Sequence, residues 1–213
     1  MAVNVLVVDD QILPRLYLSQ IVERSEKYQL TAAIAYAGMA DQFCSHGLVD
    51  LIIMDVVMED GISGLEAAER IKASYPKVKI LLITSMPDAA ILDQARLIGV
   101  DSFWYKEIQD APMLDVMDRT MDGEHVFPDA APQVKLGCAL SSELTTRELD
   151  VLRELTAGYS NQEIAQRLNM SVNTVRFHLS SLLSKTGFTS RTELAIRAAK
   201  RGIAVSWQTT QQD

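Results

Sequence analysis

Residues 3–10 read VNVLVVDD, a run of strand character that stops at two adjacent acids. The same event recurs along the first half of the chain. LIIM, residues 51–54, stops at Asp55; the run KILLI ends at Thr84; SFWY, residues 102–105, stops at Lys106. With a further apolar run over 30–36, the strand-like segments fall at 3–8, 30–36, 51–54, 78–83 and 102–105. Between them lie stretches with helical spacing, at 13–26, 39–45, 64–75, 88–97 and 111–121. Strands alternating with helices imply repeated right-handed βαβ units and a parallel sheet. LIIM and ILLI are apolar at every position, as strands must be when helices cover both faces.

Five such units in about 120 residues predict a small α/β sandwich, a doubly wound five-stranded parallel sheet of flavodoxin-like order 2-1-3-4-5. In that architecture the carboxyl ends of the strands share one edge. Asp9, Asp10, Asp55, Thr84 and Lys106 would therefore meet in one pocket although they are far apart in sequence. Carboxylates crowded at an apolar edge repel one another unless a cation lies between them. The set points to a hard divalent metal together with a group that gains charge. Each residue also has a plainer role: paired acids cap helices, a strand-end threonine makes a turn, a lysine is solvated. Their joint order and spacing favour a site.

The chain of 213 residues is 48% apolar and 23% charged, which is ordinary for a globular protein and gives room for two domains. Its net charge of −8 is unevenly spread. Residues 1–121 carry 10 Lys/Arg against 18 Asp/Glu, whereas 160–206 carry 7 against 2. A basic block joined to an acidic one fits a polyanion-binding module attached to a separate acidic domain. VNVLVV is too short for a signal peptide, and no apolar stretch approaches the roughly 18 residues of a membrane span. Cys44 and Cys138 lack metal-ligand spacing and are expected to be free thiols in a reducing cytosol. The expected location is cytoplasmic.

Residues 122–141 bring two prolines, two glycines and small residues, and read as a linker. Beyond it only helical spacing remains, at 145–157, 160–168, 172–186 and 190–200. The domains are thus placed at 1–121 and 142–206. Ser160 with Glu163 forms a capping-box pattern, and Ser171 is placed to cap the following helix. On that helix Val172, Val175, Leu179 and Leu182 recur at core spacing, leaving Asn173, Arg176, Phe177, Ser180, Ser181 and Lys185 on the other face. Two helices joined by a short turn, the second with a basic polar face, are the sequence form of a helix-turn-helix.

The stretch from Leu144 to Gly202 resembles the LuxR-type DNA-binding domain. It has the T-x-R-E start at Thr145–Glu148, the block GYSNQEIA, and SVNTVRFH leading to KTG. The resemblance implies that the helix carrying TVRFH enters the major groove, with the last helix often pairing in a dimer. Arg176, Phe177 and Ser180 then occupy base-facing positions, Arg176 toward guanine and Phe177 toward a thymine methyl. Lys185 and Asn161 fall where phosphate contacts are expected. His178 is expected to pack at the helix edge.

The first 120 residues resemble the receiver domain of two-component response regulators, and the two halves together the NarL/FixJ subfamily. The matches are Asp9-Asp10 with Arg15, Asp55, Thr84 followed by Ser85, Lys106 with Phe103 three residues before it, and the linker piece Gly123-Glu124…Phe127-Pro128. The resemblance implies Asp55 as phosphoacceptor and Mg²⁺ held by Asp10 and Asp55, by Asp9 through water, and by the Val57 backbone carbonyl. It implies that Lys106 and Thr84 contact the phosphoryl oxygens, and that Thr84 and Phe103 form the switch. The implied partners are a sensor histidine kinase, promoter DNA and a second copy of the chain, with no membrane and no enzymatic turnover. One departure stands out: the family reads D-x-x-M-P-x-x-x-G after the nucleophile. Here the proline is missing, Gly64 comes nine residues after Asp55, and Glu59 and Asp60 add acid. Two alternatives stay open: a phosphorylation-independent, constitutively dimeric regulator and, more remotely, a metal-dependent phosphohydrolase.

Overall fold

The computed structural model describes residues 2–58, 61–106, 112–201 and 203. Two compact units make up the chain, the first Met1–Thr84 with Ile91–Asp129 and the second Ser85–Ala90 with Ala130–Asp213. The first unit holds a five-stranded parallel sheet in the order β2-β1-β3-β4-β5. Its strands are β1 (Val3–Val8), β2 (Tyr28–Ile34), β3 (Leu51–Asp55), β4 (Lys79–Thr84) and β5 (Ser102–Tyr105). They alternate with α1 (Ile12–Glu23), α2 (Ala40–Ser45), α3 (Gly64–Ser74), α4 (Ala89–Ile98) and α5 (Met113–Met121). The expected order and alternation are those observed.

Alternation along the strands splits the core into two layers. Val5, Val7, Leu51, Ile53, Leu81, Ile83 and Trp104 pack with Leu18 and Val22 of α1 and Met113, Val116 and Met117 of α5. The intervening Leu6, Ile52, Met54, Ile80 and Leu82 are equally buried and face the other helical layer, which includes α2 and α3. Continuous apolar strands are the consequence of covering both faces. β2 starts and ends two residues earlier than its apolar run at 30–36. Tyr28 pairs with Val3, and its hydroxyl donates to Asp118 Oδ1 at 2.6 Å.

Register carries the strand ends to one edge: Met54 pairs with Val8, Asp55 with Ile83, and Thr84 with Tyr105. The opposite edge has its own buried acid. Asp101 accepts hydrogen bonds from Ile80 N (2.9 Å), Lys72 Nζ (2.8 Å) and Lys79 Nζ (2.9 Å).

In the second unit α6 (Thr146–Thr156), α7 (Asn161–Arg167), α8 (Val172–Thr186) and α9 (Arg191–Lys200) enclose Leu149, Leu152, Ile164, Val175, Leu182, Leu194 and Ala198. Val172 is only half-buried. Thr145 and Ser160 complete capping boxes with Glu148 and Glu163, and Ser171 and Ser190 cap α8 and α9. These bonds satisfy amides that the helix itself leaves open.

The stretch 122–141 is more structured than its composition indicates. The Phe103 amide donates to the Val126 carbonyl, which lays that residue along β5. In the second unit β6 (Lys135–Leu136) and β7 (Ala139–Leu140) form a hairpin. Two-residue strands are too short to show a period. Gly137 has a φ of 64°, and a Cβ there would collide with the Thr186 carbonyl oxygen, so the turn needs glycine.

Candidate phosphoacceptor pocket and nucleic-acid interface

β1, β3, β4 and β5 deliver Asp9, Asp55, Thr84 and Lys106 to the same edge. Asp9, Asp55 and Thr84 are buried, and Asp10 is partly so. One carboxylate oxygen from each of Asp9, Asp10 and Asp55 lies within 4.8 Å of the others. The Lys106 ammonium sits 2.8 Å from Asp9 Oδ2 and 3.1 Å from Asp55 Oδ2, with only 14% of its side chain exposed. Its own amide donates to the Thr84 carbonyl at 2.9 Å, which ties the β4 and β5 ends together.

Three acids share this edge with one ammonium, which pairs with two of them. Burial, outweighing the attraction of Lys106 and reinforced by Asp9 and Asp10, pushes the Asp55 carboxyl up to about 7. For Lys106 the balance of causes is reversed. Burial alone would lower it, but the Asp55 and Asp9 carboxylates hold it above the ordinary lysine value. Oxygen-only donors this close together suit a hard divalent cation that keeps some of its water.

Residues outside the charged set hold it in place. Arg15 Nη1 donates to the backbone carbonyls of Asp9 (2.6 Å) and Asp10 (3.1 Å), and the Gln11 amide donates to Asp9 Oδ1 at 3.0 Å. Arg15 thus fixes the turn that aims both acids, a role that its position five residues on does not disclose. Gly64 is the second such residue. A Cβ there would overlap the Asp55 carbonyl oxygen, and its amide donates to Val56 O at 3.0 Å. The glycine at nine residues therefore makes a close approach to the end of the strand that carries Asp55. Gly61, with φ of 86°, turns the chain ahead of it. Glu59 and Asp60 lie outside the described residues. Val57 is half-exposed just past β3, and Phe103 is fully buried, its ring edge-on to Tyr105 at 5.1 Å between centroids.

On α8, Arg176, Phe177 and Ser180 are exposed together, with Phe177 at 69%. Arg176 Nη1 donates to Asn173 Oδ1 at 3.3 Å, and the Phe177 ring meets the half-buried His178 edge-on. Asn161 Oδ1 accepts from Arg191 Nη1 at 3.1 Å. Lys185 is placed differently from this group. Its ammonium bonds Glu148 Oε2 (2.7 Å) and the Glu143 carbonyl (2.8 Å), while Ser181 donates to Glu148 Oε1 at 2.6 Å. Lys185 and Ser181 thus serve a buried acid on α6, and a phosphate contact by Lys185 would have to compete with that pair. The link to Glu148 is 37 residues long, so helix-face reasoning could not find it.

A sheet edge that gathers acids, hydroxyl and lysine, on a chain that ends in a capped helix-turn-helix, defines a class. Residues 5–118 match the response regulator receiver domain, and residues 142–198 match the bacterial regulatory proteins of the luxR family. The chain belongs to the bacterial response regulators, with a receiver domain followed by a LuxR-type DNA-binding domain. It is 32% identical over 208 residues to the response regulator protein VraR of Staphylococcus epidermidis, covering 95% of this chain and 99% of that one. VraR of Staphylococcus aureus matches at the same identity and coverage. In fold it is similar to RcsB of Salmonella typhimurium (TM-score 0.55, 18% identity, 93% and 99% covered). RcsB dimers solved on two parallel DNAs align with a TM-score of 0.56 at 18% identity, over 93% of this chain and 98% of that one. No helix among the described residues is long and apolar enough to cross a membrane.

Proposed function

We propose that this response regulator is a cytoplasmic transcriptional switch worked by phosphorylation of Asp55. The observation that carries this reading is the Lys106 ammonium shared between the buried Asp9 and Asp55, with the Asp10 carboxylate beside them. Asp10 and Asp55 would hold Mg²⁺ directly, with Asp9 through water and the Val57 carbonyl as a further ligand. When bound, the ion screens the repulsion between a carboxylate nucleophile and an incoming phosphoryl group. Asp55 attacks phosphorus through a carboxylate oxygen and forms an acyl phosphate as the donor's leaving group departs. Lys106 turns from the bare carboxylates to the phosphoryl oxygens, and the Thr84 hydroxyl donates to another. The new group brings roughly −1.5 to −2 charge. Thr84 and the buried Phe103 report it by shifting a pre-existing balance of conformers.

The output is DNA binding as a homodimer, with α8 in the major groove and Arg176, Phe177 and Ser180 at the base edges. Asn161 contributes to backbone placement, and Lys185 to the fold of the unit more than to phosphate. Two recognition helices would meet half-sites roughly 34–36 Å apart. The phosphoryl group comes from a partner histidine kinase. The segment 122–141 connects receiver 1–121 to DNA-binding domain 142–206, and the protein works as a switch without turnover of its own.

The test is acetyl phosphate with Mg²⁺, followed by intact mass and by fluorescence anisotropy on duplex DNA, with Asp55→Asn alongside. One phosphoryl group added to the wild type alone, together with tighter DNA binding, is the expected result. Phosphorylation without any change in affinity or oligomeric state would sink the switch.

A further inference from the structure

The second unit contains a cationic cleft with no residue of α7 or α8 in its lining. A cavity of about 510 Å³ is lined by Lys135, Leu136 and Gly137 of the β6–β7 hairpin, by Phe188, and by Arg197, Lys200 and Arg201 at the end of α9. Four of the seven lining residues are cations and none is an acid. All four are exposed, while Leu136 is buried and Phe188 half-buried in the wall.

Their isolation from acids sets these four apart. Elsewhere in the described unit the cationic side chains are engaged. Arg147, Arg153, Arg167 and Lys185 pair with Asp150, Glu154 and Glu148, and Arg176 and Arg191 bond to asparagines. Among the described residues, no ion pair or side-chain hydrogen bond involves Lys135, Arg197, Lys200 or Arg201. The negative end of the α9 dipole favours Arg197 and Lys200 in the last turn. It gives no reason for Lys135, some 60 residues earlier, to face the same space. Like charges sharing one cleft raise each other's energy, and an anion entering it removes that repulsion.

We propose that this cleft binds a small polyphosphate anion of nucleotide size. The volume lies within the usual range for small-molecule sites. Two arginines offer bidentate donors to phosphate oxygens and two lysines act as point charges, while the Phe188 ring gives an apolar wall. The duplex backbone carries the same phosphate chemistry, but a concave site with no α8 residue in its lining fits a free ligand better than a rod. The site is independent of Asp55 and of the base-facing residues.

The experiment is calorimetric titration of the full-length protein with sodium tripolyphosphate at about 0.1 M salt, where screening acts beyond about 10 Å. Saturable one-to-one binding is expected. It should weaken about tenfold or more in Arg197→Gln/Lys200→Gln, and also in Lys135→Gln, which changes a different element. Arg176→Gln should bind tripolyphosphate like the wild type. Because all of these side chains are exposed, circular dichroism should show each variant folded. Absence of saturable binding, or equal binding by wild type and the cleft variants, overturns the proposal. So does a third outcome, in which the cleft variants lose only affinity and salt dependence for duplex DNA, because the cleft then serves the nucleic-acid backbone.

Discussion

Lys106 in the receiver and Lys185 in the helical unit each bring an ammonium to a buried carboxylate, at 2.8 Å from Asp9 and 2.7 Å from Glu148. Their surroundings differ in how the charge balances. Glu148 is one acid with one lysine, and its remaining capacity is filled by Ser181 and by the Thr145 amide and hydroxyl. Lys106 pairs with two acids, Asp9 and Asp55, and Asp10 brings a third carboxylate within 4.8 Å of theirs. Asp101, with Lys72 and Lys79, shows that this sheet can neutralise a buried acid where only structure is required. The other edge instead gathers three acids around one lysine. A closed pair stabilises a fold, whereas the three-acid set is the arrangement on which the proposed cation and phosphoryl sites rest.

The comparison is tested most severely at Gly64, which lets α3 begin against the Asp55 carbonyl. Gly64→Ala must move either the helix or the strand end, because the obstacle is backbone. We expect a loss of about 3 kcal/mol in receiver stability, read by denaturant unfolding, and slower phosphorylation by acetyl phosphate. A variant with native stability and native rate would show that the turn after Asp55 absorbs the change.

Lys185→Met breaks the closed pair. Removing one partner of a buried pair costs about 3–5 kcal/mol, and Lys185 is about one-third exposed, so a loss of about 2 kcal/mol is expected. Hydrogen exchange should place the loss in the helical unit. A pH dependence accompanies it. Burial acting alone would raise the Glu148 carboxyl, but the bonds from Lys185, Ser181 and Thr145 outweigh it and hold the group down to about 2. Its contribution is complete above the unfolded value near 4.3 and is lost as pH falls from there toward 2. Glu148→Gln should flatten that acid limb; an unchanged limb would mean that other groups govern it.

For the three-acid set the expected sign is reversed. Asp55→Asn removes one of three mutually repelling carboxylates and leaves Lys106 its Asp9 partner. In metal-free buffer the receiver should gain about 1 kcal/mol, and the gain should shrink when Mg²⁺ is added, since the wild type binds the ion more tightly. A destabilised Asp55→Asn receiver would mean that the charge of the three acids is already balanced within the fold.

How far the sequence discloses all this depends on the range of the interaction. LIIM and ILLI announce strands covered on both faces because burial is written into every residue, and Ser160 with Glu163 announces a helix start because the cap closes within three residues. The pocket was legible through strand ends, since parallel topology turns four separate run-out positions into neighbours. The β6–β7 hairpin left no trace because two residues make no period. In the sequence Lys185 reads as a phosphate contact, because its acid is 37 positions away on another helix. Gly64 looked misplaced by one residue until its contact with the Asp55 carbonyl gave it a reason.

The smallest effect on stability should come from the exposed face of α8, and it separates the two roles that Lys185 and its neighbours were expected to share. Phe177 is 69% exposed and touches little beyond His178. Phe177→Ala should therefore change stability by less than about 0.5 kcal/mol. If the ring meets a thymine methyl, the same change should weaken binding to a duplex selected by the wild type by about 1–3 kcal/mol, at one fixed salt concentration. Lys185→Met should do the reverse, lowering stability while the folded fraction binds DNA with nearly native affinity. Anisotropy under conditions where both variants are fully folded distinguishes them. Equal losses of affinity would return Lys185 to the DNA surface, and an unaffected Phe177→Ala would take the aromatic ring out of base recognition.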